Sequence, residues 1–93
     1  MTCSLDPDTV TDRASFERFV DDLAADRRGA EDLERADPHR FRLGGARDWQ
    51  NCSISMFLDG ALAGTQDRAD WASEGSLTWR DLAVFLYLGK IYE

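Results

Sequence analysis

Residues 78–93 read TWRDLAVFLYLGKIYE, and this stretch decides the fold. No residue from Leu82 to Gly89 is charged, so a helix here has apolar side chains on every face. Such a helix is buried on all sides, inserted in a membrane or covered by a partner. A bilayer span needs roughly 20 apolar residues, which is far more than this run provides. The segment therefore predicts a central core helix, or a helix whose second face is covered by another chain.

Two more helices are predicted upstream, each from an apolar stripe at the i, i+3, i+4, i+7 spacing of one helix face. The first stripe is Phe16, Phe19, Val20 and Leu23, and the second is Ile54, Phe57, Leu58 and Ala61. Both stripes are expected to face the core. We predict an all-α domain of three main helices, about 12–27, 52–64 and 78–92, with the C-terminal helix central.

Side chains that accept hydrogen bonds from the free N–H groups of a helix precede each predicted helix. They are Thr11 or Asp12 for the first helix, Asn51 or Ser53 for the second, and Thr78 for the third. Asp81 completes a capping-box-like start with Thr78, standing in for the usual Glu. Arg27 and Arg28, followed by Gly29, are typical of a helix C-terminus and predict the end of the first helix there.

The segments outside the helices are predicted to be mostly irregular. Residues 30–48 allow a short helix over 30–36 that is ended by Pro38, and then either a hairpin at Gly44-Gly45 or a loop. The loop is favoured because the residues after the two glycines do not alternate between apolar and polar as those of a strand do. Residues 1–11 are polar and show no periodicity, which predicts a flexible N-terminal arm. Residues 12–93 are then a single helical domain.

The composition indicates one small, acidic, globular domain. The 93 residues are 43% hydrophobic, and 18 acidic against 11 basic residues give a net charge of −7. An acidic surface repels phosphate backbones, so we expect no nucleic-acid partner, and no membrane partner either. The N-terminus lacks a signal-peptide pattern, which predicts a cytoplasmic protein with Cys3 and Cys52 as free thiols. Ten of the eleven basic residues are Arg, which is typical of a GC-rich bacterial genome.

No recognisable catalytic or metal-binding motif is present in the sequence. A pair of Cys52 with the only histidine, His39, would make a thiolate nucleophile, but no flanking motif supports the pairing. The acidic residues Asp67, Asp70 and Glu74 lack the alternating ligands and central glycine of an EF-hand loop. We therefore predict no catalytic residue, no metal site and no cofactor, with a small thiol hydrolase using Cys52 as the least favoured alternative.

Two segments, residues 49–61 and 79–93, carry a resemblance to known sequences. The matching residues are Trp49, Asn51, Phe57 and Leu58 in the first segment, and Trp79, Arg80, Leu82, Ala83, Lys90, Tyr92 and Glu93 in the second. Over about residues 12–93 the chain resembles a family of small uncharacterised bacterial domains of unknown function. That family carries no assigned activity, so the resemblance implies the fold and the domain limits only. Gly60 and Gly89 stand where the pattern has Ala, and we expect packing to survive both changes.

Four residues are candidate partner-binding residues: Trp71, Lys90, Tyr92 and Glu93. Trp71 lies in a polar linker, and tryptophan is enriched at the centres of protein interfaces. Lys90, Tyr92 and Glu93 would form an exposed recognition patch of cation, phenol and carboxylates. In the structural alternative, Lys90 caps the last carbonyls of its helix and Tyr92 packs back onto the domain.

The leading interpretation is a non-catalytic, acidic protein-binding module, of an immunity-type or regulatory kind. An immunity-type inhibitor of a basic toxin would be attracted to its target by charge. The alternative is a homodimeric structural protein, in which the free face of the final helix is buried against a second copy.

Overall fold

A computed structural model describes residues 5–42, 44–72 and 77–92. A 3-10 turn at Pro7–Thr9 precedes three helices: α1 at Arg13–Ala36, α2 at Ile54–Gln66 and α3 at Trp79–Ile91. Within these ranges no residue forms a strand. The helix α3 is central, because it packs against α1, α2 and the 3-10 turn. The predicted all-α fold with three main helices is confirmed. None of the described helices combines the length and hydrophobicity of a membrane span.

The predicted N-caps account for where the helices begin. The Asp12 carboxylate accepts a hydrogen bond from the Ser15 N–H at 2.9 Å, while the Ser15 hydroxyl accepts one from the Asp12 N–H at 3.1 Å. Thr78 and Asp81 form the same reciprocal pair at the start of α3. Ser53 caps α2. Each cap satisfies N–H groups that have no partner inside the helix.

The predicted end of α1 at Gly29 is wrong, because the helix continues to Ala36. Gly29 instead makes room for the guanidinium of Arg47, since a Cβ at this position would lie 2.2 Å from its Nη1. The next residue, Ala30, is fully buried and anchors the additional turns. Residues 30–36, for which the sequence allows a separate short helix ended by Pro38, are the last turns of α1.

The segment between α1 and α2, residues 37–53, is a series of turns in its described part, with no strand. Gly45 donates its N–H to the Trp49 carbonyl at 2.7 Å, and Trp49 donates its N–H to the Ala46 carbonyl at 3.1 Å. Arg47 and Asp48 have positive φ values of 56° and 65°. These left-handed residues turn the chain so that Ala46 and Trp49 point into the core.

Residues 5–10 pack on α3 instead of extending as the predicted arm. Val10 is 1% exposed and belongs to the same core as Phe19 and Leu23 of α1. Leu5 packs against that core. Two apolar side chains, Leu5 and Val10, therefore attach a segment whose polar sequence suggested an arm. Residues 1–4 of the predicted arm lie outside the described residues.

The contact between α2 and α3 depends on glycines. A Cβ at Gly60 would lie 2.4 Å from Asn51 Nδ2, and one at Gly89 would lie 2.7 Å from the Phe57 ring. Contacts this short force neighbouring atoms to move. The packing therefore requires glycine at both positions, because the neighbouring atoms leave no room for a methyl group.

The face of α2 that meets the core also differs from the predicted one. Gly60, Ala61, Gly64 and Thr65 are its buried residues, with Phe57 half-buried beside them. The other two members of the predicted stripe, Ile54 and Leu58, are exposed. The small residues allow α2 to lie against α3, which turns the large aliphatic side chains outward.

Candidate functional site

Trp71 lies in the turn after α2 and is half-buried. Its Nε1 donates a hydrogen bond to the Asp81 carbonyl at 2.8 Å, and its ring centroid lies 6.1 Å from that of Phe85. The indole thus connects this turn to the first half of α3. Contact of Trp71 with a partner stays a prediction.

The three other candidate residues come from the end of the chain. Lys90 is 7% exposed, and its Nζ donates to Asp26 Oδ2 at 2.8 Å, so the amine forms neither an exposed cation nor a cap on helix carbonyls. Tyr92 is half-buried, and its hydroxyl is hydrogen-bonded to the Asp67 carboxylate. Glu93 lies outside the described residues. The structure therefore does not place Lys90 in the predicted recognition patch.

Asp26 is the centre of a largely buried polar cluster, which we define as Asp26, Trp49 and Lys90. One oxygen of Asp26 accepts hydrogen bonds from Trp49 Nε1 at 2.9 Å and Lys90 Nζ at 2.8 Å. The other oxygen lies 3.7 Å from Arg47 Nη1. The amine also lies 5.5 Å from the Trp49 ring centroid, within cation–π range. The cluster connects α1, the 37–53 segment and α3.

A second ion pair lies beside this cluster. Arg27 donates to both oxygens of Glu34, at 2.8 and 3.2 Å, and Glu34 also accepts the Ala46 N–H at 2.9 Å. Burial by itself lowers the pKa of Arg27, but the hydrogen bond and negative charge of Glu34 outweigh it and raise that pKa overall. In the described ranges every buried side-chain nitrogen and oxygen has a hydrogen-bond partner. These groups are therefore occupied in holding the fold.

Asn51 binds the end of α3. Its side-chain amide donates to the Gly89 carbonyl at 2.9 Å and to the Tyr92 carbonyl at 2.6 Å. The last carbonyls of a helix have no partner inside it, so one amide satisfies two of them. The sequence had suggested Asn51 as one of two caps for α2, where Ser53 takes that role. The C-terminal capping by Asn51 could not be predicted, because the two segments meet only in the folded chain.

Cys52 borders an open cavity of about 250 Å³, together with Arg27, Trp49 and Phe57. The thiol is free and exposed, and its Sγ donates to the Trp49 carbonyl at 3.5 Å. No hydrogen bond joins it to His39, which lies in the turns after α1. Across the parts of the chain that the structure describes, no group of three His, Cys, Asp or Glu side chains is arranged to hold a metal.

The outer surface of α2 carries three large exposed aliphatic side chains, which we call the α2 stripe: Ile54, Leu58 and Leu62. They are 81%, 51% and 54% exposed. Their i, i+4, i+8 spacing places them in one row along the helix. Asp59 is the only charged residue among the 13 of α2, whereas 12 of the 24 residues of α1 are charged.

The sequence did not predict the α2 stripe as a surface. It placed Ile54 and Leu58 on the core-facing side, because their spacing with Phe57 and Ala61 is that of a buried face. The signal that separates the two faces is the pair Gly60 and Gly64, four residues apart. Small residues at this spacing mark the side on which another helix approaches closely.

No protein-family model, curated protein or solved structure matches the chain. The resemblance to a family of uncharacterised bacterial domains stays a prediction. A function for this chain is therefore inferred from the chemistry of its own surface.

Proposed function

We propose that the chain is a non-catalytic protein-binding module and that the α2 stripe is its binding face. The observation that carries the proposal is the exposure of three large aliphatic side chains in one row on a chain that is 31% charged. Burial of apolar surface contributes about 25 cal/mol per Å². Contiguous apolar patches surrounded by polar residues are typical of interaction sites. A cytoplasmic location stays a prediction from the sequence.

The described geometry supports a binding role better than the thiol-hydrolase alternative. A catalytic thiol needs a base within hydrogen-bond reach and a third group that orients the base. The hydrogen bond of Cys52 goes to the backbone carbonyl of Trp49. In contrast, the α2 stripe has the exposure that binding requires.

An immunity-type inhibitor of a basic toxin is one form of this proposal, and it differs from an apolar docking module in its dependence on salt. Attraction between the net charge of −7 and a basic target is screened as ionic strength rises. Burial of the α2 stripe is not weakened in this way. Binding that survives at high salt therefore indicates the stripe, and binding lost at high salt indicates the acidic surface.

The test uses a matched pair of charge substitutions on α2. Leu58→Asp places a carboxylate in the stripe, whereas Met56→Asp places one at an exposed position about 200° away around the helix. Immobilised wild-type and variant proteins are compared for what they capture from lysate and from a purified sample of the chain itself. Circular dichroism establishes that each variant is folded.

The expected result is capture by the wild type and by Met56→Asp, at low and high salt, that is lost with Leu58→Asp. Equal capture by all three proteins would place the binding face elsewhere on the surface. Capture by none of them would exclude the binding function itself.

A further inference from the structure

A short basic segment interrupts the acidic surface just after α1. It consists of Arg40, Phe41 and Arg42, which we call the basic turn, and both of its arginines are exposed. We infer that the basic turn binds carboxylates of an acidic segment in a partner protein. The basic turn lies outside the α2 stripe, so this inference goes beyond the proposed function and does not rest on it.

The arginines of the basic turn stand apart from the carboxylates of the chain. Residues 35–49 hold four Arg and two Asp, a net charge of +2 on a chain whose total is −7. Within this stretch Arg35 and Arg47 each pair with an aspartate. Among the described residues, neither Arg40 nor Arg42 lies within ion-pair distance of a carboxylate. These two guanidiniums are therefore available to an anion from outside the chain.

Backbone hydrogen bonds and a ring contact hold the basic turn in place. Arg40 donates its N–H to the Asp37 carbonyl at 3.2 Å and to the Asp37 carboxylate at 3.3 Å. Gly44 donates its N–H to the Phe41 carbonyl at 3.4 Å. Phe41 packs against the core, and the guanidinium carbon of Arg40 lies 5.3 Å from its ring centroid. A guanidinium stacked on a ring that the core holds has less conformational freedom to lose on binding.

The spacing of the two arginines suits neighbouring carboxylates of one segment. Consecutive Cα atoms are about 3.8 Å apart, so those of Arg40 and Arg42 are separated by at most about 7 Å. Both long side chains can therefore contact the same short stretch of a partner. Guanidinium and carboxylate form charge-assisted hydrogen bonds, often two at a time. Exposed ion pairs contribute little individually, so we expect weak, salt-sensitive binding.

The small extent of the basic turn favours an acidic peptide over a nucleic acid. Duplex DNA carries about one negative charge per 1.7 Å of its length, so it extends far beyond two arginines. Around the basic turn it would meet acidic residues, because Glu31 and Asp32 lie in the last turns of α1 and Asp37 follows its end. A short acidic segment can contact the two arginines without crossing these carboxylates.

Binding of labelled peptides, measured by fluorescence polarisation at low salt, provides the test. The probe is a peptide of four glutamates flanked by glycines, and the same peptide with glutamines is its neutral control. The variant that carries both Arg40→Gln and Arg42→Gln removes the two cations of the basic turn. A matched variant with Arg13→Gln and Arg18→Gln removes the same charge from exposed positions on α1. Circular dichroism establishes that both variants are folded.

The wild type should bind the glutamate peptide several-fold more tightly than the glutamine peptide. The change at Arg40 and Arg42 should remove most of this preference, whereas the change at Arg13 and Arg18 should leave most of it. No preference in the wild type, or equal losses in the two variants, would overturn the inference. A single-stranded oligonucleotide that binds the wild type more tightly than the glutamate peptide does would also overturn it, in favour of a nucleic-acid partner.

Discussion

Lys90 Nζ donates to Asp26 Oδ2 at 2.8 Å, which joins two residues that are 64 positions apart in the chain. The same carboxylate oxygen accepts the indole N–H of Trp49 at 2.9 Å. One carboxylate therefore connects the first helix, the turns after it and the last helix. A buried ion pair of this kind adds little to stability compared with well-packed apolar residues of similar size. Removal of one partner, however, leaves the other charge buried without a counter-charge.

Asp26→Asn is expected to lower the free energy of unfolding by about 3 kcal/mol, because Lys90 is left buried without its counter-charge. Lys90→Met should cost less, since Asp26 keeps the Trp49 hydrogen bond and the Arg47 guanidinium 3.7 Å away. The double variant should cost clearly less than the sum of the two single changes. Urea unfolding of all four proteins measures this coupling. Strictly additive costs would show that the pair does not act as a unit.

Asn51 is the residue on which the end of α3 depends. Asn51→Ala removes hydrogen bonds to the Gly89 and Tyr92 carbonyls, with an expected cost of about 2 kcal/mol. Asn51→Asp should cost more, because it directs a carboxylate oxygen at two carbonyl oxygens without changing the size of the side chain. The exposed neighbour Gln50→Ala serves as the control, since its contact with Lys90 is made by the backbone. A smaller cost for Asn51→Asp than for Asn51→Ala would contradict this account.

The close approach of α2 and α3 makes Gly60→Ala a direct test of their packing. Alanine favours a helix over glycine by about 1 kcal/mol. At Gly60, however, the new methyl group would lie 2.4 Å from Asn51 Nδ2 and 2.9 Å from the Tyr92 carbonyl oxygen. Overpacking of this kind costs about 1–3 kcal/mol, so we expect a net loss of stability.

Gly64→Ala provides the comparison for Gly60→Ala. Its methyl group would meet side-chain atoms of Leu88 and Tyr92 at 3.1 Å, and side chains adjust more readily than a backbone carbonyl. Thermal unfolding should therefore place Gly64→Ala close to the wild type and Gly60→Ala well below it. Equal melting temperatures for the two variants would show that the backbone contact at Gly60 is relaxed in solution.

The three helices and their starts were predictable because the signals for them are local. Thr78 and Asp81 lie three residues apart and cap α3 wherever that helix packs. The end of α1 was not predictable in this way. Gly29 is a common stop signal, and the guanidinium that occupies the space above it belongs to Arg47, which lies 18 positions later in the chain.

The candidate site was less predictable than the fold, since it depends on which face of α2 is buried. Apolar spacing alone includes Ile54 and Phe57 in one stripe, but in the structure Ile54 is exposed whereas Phe57 is half-buried. Glycines at positions 60 and 64 decide the orientation, because only their side of the helix can approach α3 closely. Lys90 was ambiguous for a related reason. Its partner Asp26 lies 64 positions earlier, and a predicted arrangement of helices does not specify which of their side chains meet.

The orientation of α2 predicts opposite results for two substitutions on the same helix. Ile54 is 81% exposed, so Ile54→Ala should change the free energy of unfolding by less than about 0.5 kcal/mol. Phe57 packs between Gly89 and the Trp49 ring, whose centroid lies 6.1 Å from its own, and Phe57→Ala should cost about 3 kcal/mol. Denaturant unfolding compares the free energies of unfolding of the two variants. If Ile54→Ala lowered the free energy of unfolding as much as Phe57→Ala does, Ile54 would face the core, as the apolar spacing predicts.

The N-cap of α1 predicts how stability changes in acid. Hydrogen bonds from the Ser15 N–H, and then from the Ser15 hydroxyl, lower the pKa of Asp12 below its ordinary value of 3.8. A carboxylate with a lowered pKa stabilises the folded state above its unfolded pKa, and that contribution is lost as the pH falls through the folded pKa. Asparagine caps a helix about as well as aspartate but does not titrate.

We therefore compare the wild type with Asp12→Asn by urea unfolding from neutral pH down through the acid range. The free energy of unfolding of the wild type, relative to that of Asp12→Asn, should be highest above about pH 5, where the carboxylate is ionised in both the folded and the unfolded chain. This relative free energy of unfolding should decrease as the pH falls, because protonation removes the charge that accepts the Ser15 hydrogen bonds. Asp59→Asn, which changes an exposed carboxylate on α2, is the control for general loss of negative charge. The difference in free energy of unfolding between the wild type and Asp12→Asn should therefore change with pH. A constant difference, or one that changes with pH as the difference between the wild type and Asp59→Asn does, would show that the cap does not depend on the charge of Asp12.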